Sequence, residues 1–215
     1  MRSRDLLGVV LAGGEGRRFG GGKALAPLAG RPLAAWPLRA LDACLPGSVV
    51  VANEPGISQA LGVRGRRDHV PGLGPAGGLL TALRWAREEG KEGVFVLACD
   101  LPLMTPLVVE RVLGAWSRDA PAVVPESAGS MEVEPLCAGY GAACLPPLEE
   151  LLLEGPAPVV ELLRRVRPRR VPASTLGSPE ALREAFLNVN TRQEMVRAGE
   201  LLARRGNGEL REGGP

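Results

Sequence analysis

The apolar positions of this chain fall into short unbroken runs, separated by longer stretches with helical spacing. Leu6–Leu11 carries no polar side chain, nor does 94–98, and 49–52 is a shorter β-rich run. Unbroken runs of this length predict strands covered on both faces. Between them, 32–45, 75–89 and 105–116 repeat their apolar residues every three or four positions, as amphipathic helices do. Pro37 predicts a kink or a later start in the first of these. Pro75 suits a first helical turn, and Thr105-Pro106 reads as an N-cap followed by the first helical residue. Further on, 122–124, 136–140, 169–171 and 186–189 read as strands, and 145–153, 159–166 and 191–204 as helices.

Strands alternating with helices predict an α/β fold, a Rossmann-like three-layer sandwich with a mostly parallel central sheet. No repeat or linker divides the chain, so 1–204 is expected to form one domain and 205–215 a disordered tail. Ligands of such sheets sit at the carboxyl ends of the strands. That edge would collect the loop after Leu11, Asn53, Asp100, and Asn188 with Asn190.

Composition narrows the picture. The 215 residues carry 26 basic and 24 acidic side chains, with aromatics at only 3%, so neither a nucleic-acid nor a membrane surface is expected. No long apolar span or leader is present, which predicts a soluble cytoplasmic protein. Cys44, Cys99, Cys137 and Cys144 form no C-x-x-C pair, and His69 is the only histidine. Free thiols in a reducing compartment are expected rather than zinc, with Cys99 a small buried hydrophobe. His69 reads as a loop residue, and no Ser-His-Asp or Cys-His arrangement assembles. Arginine supplies nearly all the positive charge; Lys23 and Lys91 are the only lysines.

Lys23 ends a glycine-rich loop, Gly13-Gly14-Glu15-Gly16-Arg17-Arg18-Phe19-Gly20-Gly21-Gly22. So many glycines allow backbone amides to approach phosphate oxygens closely, with Lys23 adding a point charge. Neither a Walker loop nor a Rossmann fingerprint fits. Arg17 stands where the Walker glycine belongs, Ala24 follows the lysine, and Phe19 breaks G-x-G-x-x-G. The loop amides, Gly14 among them, and Arg17 or Arg18 would hold phosphates. Asp100 reads either as a Mg²⁺ ligand beside those phosphates or as an Asp-x-Pro turn. Asp68 would accept from a base or ribose, or cap a turn. Gly74 to Gly78 would bring backbone near a flat base, or simply join loop to helix.

These motifs carry a resemblance. Leu11-Ala12-Gly13-Gly14, Arg18, Gly20 and Lys23 resemble the L-A-G-G-x-x-x-R-x-G-x-x-K signature of nucleotidyltransferases. Gly74-Pro75-x-x-Gly78, Cys99-Asp100-Leu101-Pro102, Glu134-Pro135-Leu136-Cys137-Ala138 and Asn188-Val189-Asn190-Thr191 make the whole similar to the molybdenum cofactor guanylyltransferase (MobA) family. The resemblance implies a nucleotide-diphospho-sugar-transferase-like fold. It implies transfer of GMP from GTP to the phosphate of molybdopterin cofactor, with release of pyrophosphate. It puts Leu11, Ala12, Gly13, Lys23, Asn53 and Asp68 at the nucleotide, and Asp100 at both nucleotide and Mg²⁺. Lys23, Asp100 and Arg18 would be the catalytic residues, Gly14 and Gly78 would add to the nucleotide site, and Asn188 and Asn190 would shape the acceptor side. Molybdopterin-handling or molybdoenzyme-chaperone proteins are the expected partners. A cytidylyltransferase for the same cofactor, a sugar-phosphate nucleotidyltransferase and a non-catalytic nucleotide binder share the loop and remain alternatives. Two positions depart from the family pattern. Phe19 replaces methionine, and Gly22 replaces the aspartate that precedes the lysine, so Lys23 must be oriented by other groups.

Overall fold

The computed structural model describes residues 5–13, 22–129 and 132–212, with side chains to residue 205. Its strands are β1 (Leu6–Leu11), β2 (Pro27–Leu28), β3 (Arg31–Pro32), β4 (Ser48–Val51), β5 (Gly65–Arg66), β6 (Gly93–Ala98), β7 (Ala122–Pro125), β8 (Cys137–Gly141) and β9 (Arg169–Val171). The α-helices are α1 (Ala35–Asp42), α2 (Ile57–Leu61), α3 (Gly74–Glu88), α4 (Pro106–Gly114), α5 (Leu145–Leu153), α6 (Val159–Val166), α7 (Ala173–Leu176), α8 (Pro179–Ala185) and α9 (Arg192–Glu212). Seven strands form one sheet in the order β5-β4-β1-β6-β8-β7-β9, and β2 pairs with β3 in a small hairpin. Only β8 runs against its neighbours, so the sheet is mostly parallel.

The unbroken apolar runs have the predicted cause. All six residues of β1 are buried, and all six of β6. Along β1, Leu6 and Val10 pack into one core with Leu38 and Leu41 of α1 and Val108, Val109 and Val112 of α4. Leu7, Val9 and Leu11 pack into a second core with Leu79 and Leu83 of α3 and Leu148 of α5. Two cores on opposite faces of one sheet make the three layers.

Differences from the sequence reading have local causes. α1 begins at Ala35, which places Pro37 in the first turn, where its missing N–H breaks no helical bond. Residues 186–190 are not a strand. Val189 is buried against Leu28, Leu33, Leu103 and Ala198, and its amide donates to the Asp100 carbonyl (2.9 Å) rather than to a neighbouring strand. Helix α9 continues to Glu212, whereas the sequence reading ends it near Arg204. Arg205 is tied to the Leu103 carbonyl (2.8 Å) and to Glu184 (3.0 Å), and an anchored helix gains one bond per added residue.

Register sets the working edge of the sheet. Leu11 lies level with Val51 of β4 and Ala98 of β6. The Ala12 amide bonds the Val51 carbonyl (2.8 Å), and the Cys99 amide bonds that of Leu11 (3.0 Å). The chain therefore leaves all three strands at one level, and Gly13, Asn53 and Asp100 emerge together.

Candidate active site

A cleft, partly open to solvent, lies on that edge. Leu11, Ala12 and Gly13 form its floor, Gly74, Pro75 and Gly78 of α3 one wall, and Asp68, Lys23 and Asp100 supply its polar groups. The amino end of α3 adds partial positive charge to the wall.

Asp68 is nearly buried, at 9% exposure. It forms a reciprocal pair with Asn53, whose side-chain amide donates to Oδ2 (2.7 Å) while its oxygen accepts the Asp68 amide (2.9 Å). Both ends of Asn53 therefore serve to aim Asp68. The other oxygen, Oδ1, is buried without a partner among the described residues. Burial raises the carboxyl above its ordinary value, against the lowering by the Asn53 bond and nearby His69. Two glycines keep the space beside it free. A Cβ on Gly13 would lie 3.7 Å from Oδ2, and one on Gly78 would lie 3.6 Å from Oδ1 and 3.4 Å from Leu11. Buried acceptors are normally paired, so an unpartnered oxygen marks Asp68 as a candidate site residue. His69 is exposed on the adjoining loop, and its backbone amide bonds Thr81 of α3 (3.0 Å).

Lys23 opens a short 3-10 turn, Lys23–Leu25, just after Gly22, which adopts the left-handed conformation at φ 68°. Its ammonium donates to Asp100 Oδ2 (2.8 Å) and to Asn190 Oδ1 (2.7 Å). The Lys23 and Asp100 side chains are only 12% and 21% exposed. These two acceptors orient a lysine that lacks the aspartate neighbour of the family pattern. Asp100 sits one residue beyond Cys99, a buried thiol whose pKa burial pushes up to about 12. The described bond of the Asp100 carboxylate is thus to Lys23, not to its own turn. Asn188 is exposed and donates weakly to the Phe186 carbonyl (3.5 Å), so the two asparagines part company.

Glu54 is a site residue that sequence reasoning missed. It lines the cleft and accepts the Gly22 amide through Oε2 (3.2 Å). Its one signal was adjacency to Asn53. Gly14, Arg17 and Arg18 lie outside the described residues. No cluster of three or more His, Cys, Asp or Glu side chains capable of holding a metal occurs among the described residues.

The model of the MobA-like NTP transferase domain matches residues 8–171. The chain belongs to that family. Its relatives include a probable molybdenum cofactor guanylyltransferase of Thermococcus gammatolerans, 32% identical, the match covering 88% of this chain and 97% of the relative. The molybdenum cofactor guanylyltransferase of Cereibacter sphaeroides is 34% identical over 92% of this chain and 97% of its own. Among solved structures, molybdopterin-guanine dinucleotide biosynthesis protein A from Archaeoglobus fulgidus superposes with a TM-score of 0.76 at 27% identity, over 93% of this chain and all of that one. The 2-C-methyl-D-erythritol 4-phosphate cytidylyltransferase of Thermus thermophilus, 19% identical with a TM-score of 0.64 over 91% and 98% of the two chains, shares the fold. As a member of the MobA-like family the chain is a nucleotidyltransferase, and such enzymes work with a divalent metal. No helix among its described residues is long and apolar enough to cross a membrane.

Proposed function

We propose that this nucleotidyltransferase joins GMP from GTP to the phosphate of molybdopterin cofactor in the cytoplasm. The observation that carries the reading is the Lys23–Asp100 pair lining the cleft at the carboxyl ends of β1 and β6. An acceptor phosphate oxygen attacks the α-phosphorus, the bond to the α–β bridging oxygen breaks, and pyrophosphate leaves. The nucleophile is already anionic, so no general base is required. Catalysis is then positioning and charge neutralisation. Lys23 offsets charge on the triphosphate, and the loop amides, Gly13 and Gly14 among them, hold its oxygens with Arg18. Asp68, aimed by Asn53, accepts a donor from base or ribose through Oδ1, and Gly78 leaves room for the base. Asp100 fits Mg²⁺, which typically takes one or two carboxylates plus substrate oxygens, because its carboxylate lines the cleft and a second oxygen stands beside the one that Lys23 binds. When bound, that ion would neutralise phosphate charge. Asn188 and Asn190 flank the side from which the acceptor approaches, where the product could pass to molybdoenzyme-chaperone proteins.

Base preference tests the reading. A site that pairs one base edge rejects analogues strongly, because its polar groups would be left unpaired. Pyrophosphate release with Mg²⁺ and molybdopterin cofactor is expected with GTP and not with ATP, CTP or UTP. Equal or faster release with CTP would move the assignment to a cytidylyltransferase. Release that does not depend on the cofactor would argue for another acceptor.

A further inference from the structure

The glycine loop and the cleft lie inside the matched region, 8–171, whereas one of the two groups that hold Lys23 comes from beyond it. Asn190 lies immediately before α9, and its placement is built from both directions. On one side, the Val189 amide is fixed to the carbonyl of Asp100 (2.9 Å) while its side chain is fully buried. On the other, Thr191-Arg192-Gln193-Glu194 has the spacing of a capping box, with Glu at the third helical position. The Thr191 hydroxyl accepts the Glu194 amide (3.2 Å). In the usual box the carboxylate returns to the capping residue's own amide. Here Glu194 Oε2 accepts the amide of the residue before it, Asn190, at 2.6 Å. That bond is the chief reason the Glu194 carboxyl stays below its ordinary pKa.

A closed circuit results. The Asp100 carbonyl fixes Val189, Glu194 fixes the next amide, and the Asn190 side chain then meets the ammonium that also binds the Asp100 carboxylate. A lysine stem has four rotatable bonds and keeps one geometry only when its head has more than one acceptor. Gly22, the residue beside it, has no side chain to offer.

We infer that Glu194 is a positioning residue of the transfer reaction, acting through Asn190 to hold Lys23 at Asp100. The inference rests on the proposed role of Lys23 at the triphosphate. The test uses the full chain with GTP, Mg²⁺ and molybdopterin cofactor, and compares Glu194→Ala, Glu194→Gln, Asn190→Ala, the Asn190→Ala/Glu194→Ala double variant and Lys23→Ala. Glu194→Ala is expected to lower kcat/KM for GTP about tenfold, the scale of groups that orient a ligand-contacting side chain. Glu194→Gln, which keeps an oxygen for the Asn190 amide, should recover most of it. Because Glu194 acts through Asn190, the double variant should be no slower than Asn190→Ala alone. Titration of GTP without acceptor should follow the same order, and melting temperatures report any loss from the helix cap separately. A further full drop in the double variant would overturn the inference, as would a Glu194→Ala enzyme with lowered melting temperature and parental kcat/KM. Parental turnover in Lys23→Ala would instead sink the role of Lys23, and this inference with it.

Discussion

Two charged regions of the molecule are built from similar parts and do opposite things. At the free edge of the sheet, Arg64 and Arg66 stack over the buried Trp85 ring, with guanidinium carbons 5.5 and 4.5 Å from its centroid. Arg64 pairs with Glu89 and Arg66 with Glu88, each at 2.5 Å, and the Trp85 indole donates to Glu89 (2.6 Å). Glu89 therefore has more than one donor, and its carboxyl is held below the ordinary range, chiefly by the Arg64 bond. In the cleft, Asp68 has a donor on one oxygen and, among the described residues, none on the other, and burial pushes its carboxyl the opposite way. The edge is satisfied within the chain. The cleft is left incomplete beside open space. A fold tolerates such an unmet group where function calls for it.

The sharpest way to break this contrast is at the lysine. Lys23→Ala should keep the melting temperature near the parent, since the side chain supports no core, and should lower turnover about 10²–10³-fold. Lys23→Arg should not fully restore it, because a planar fork cannot meet the Asp100 and Asn190 oxygens as a point charge does. Asp100→Asn should likewise fold and lose most Mg²⁺-dependent turnover, the amide being a poor ligand for a hard cation. If these variants melt early but turn over at the parental rate when folded, Lys23 and Asp100 are architecture, and the contrast with the edge fails.

Asp68 offers the next largest effect, and one with two signs. Asp68→Asn removes a buried charge, so the unliganded protein should gain stability at neutral pH, while GTP affinity falls about tenfold. The pH dependence fixes the cause. A carboxyl raised in the folded state binds its proton more tightly there than in the unfolded chain. Its penalty is thus absent below the unfolded value and develops as pH rises through the raised one. Melting curves of parent and variant should converge at low pH and separate toward neutrality. A variant that is destabilised at every pH would mean that Asp68 is a turn cap, like any other structural aspartate.

The same contrast explains what could be read from the sequence. β1 and β6 were legible because burial on both faces writes an unbroken apolar run. The β2–β3 hairpin, α2 and β5 were not, because two to five residues are too few to set a period. Residues 186–190 misled for a specific reason. Leu187 and Val189 alternate with asparagines as a strand would, yet their burial is against α9 and the hairpin, with no strand beside them. In a true strand Asn188 and Asn190 would face the same way; in this irregular segment only Asn190 reaches Lys23. At the site, the polar residues at the ends of apolar runs stood out. Lys23, Asn53, Asp68 and Asp100 do meet on one edge, because register places the ends of β1, β4 and β6 level. Glu54 was illegible, since its contact is with a backbone amide 32 residues away and leaves no pattern. Glu194 was hidden in the same way, reading only as one more charge in a charged helix.

The edge itself should give the smallest effect and the cleanest control. Arg66→Gln removes a stacked guanidinium and an ion pair whose acid is half exposed. Exposed ion pairs contribute little and cation–π contacts at the surface contribute modestly, so the loss should be about 0.5–1 kcal/mol, or roughly 1–4 °C. Turnover should not change, because the link from this strand to the cleft is the Arg66 carbonyl accepting the Ala52 amide (2.9 Å), which the substitution keeps. Arg64→Gln should add a pH signature opposite to that of Asp68. A carboxyl lowered in the folded state contributes stability above its unfolded value and loses it as pH falls through the folded one. Without Arg64 the chief cause of that lowering is gone, so the parent's advantage over the variant should be greatest near neutrality and fade in acid. Added salt should shrink it as well. Unchanged melting would mean that the arginines only cover the edge. Lost turnover at unchanged stability would mean that the edge and the cleft are one system, and that a satisfied cluster can be as functional as an unsatisfied one.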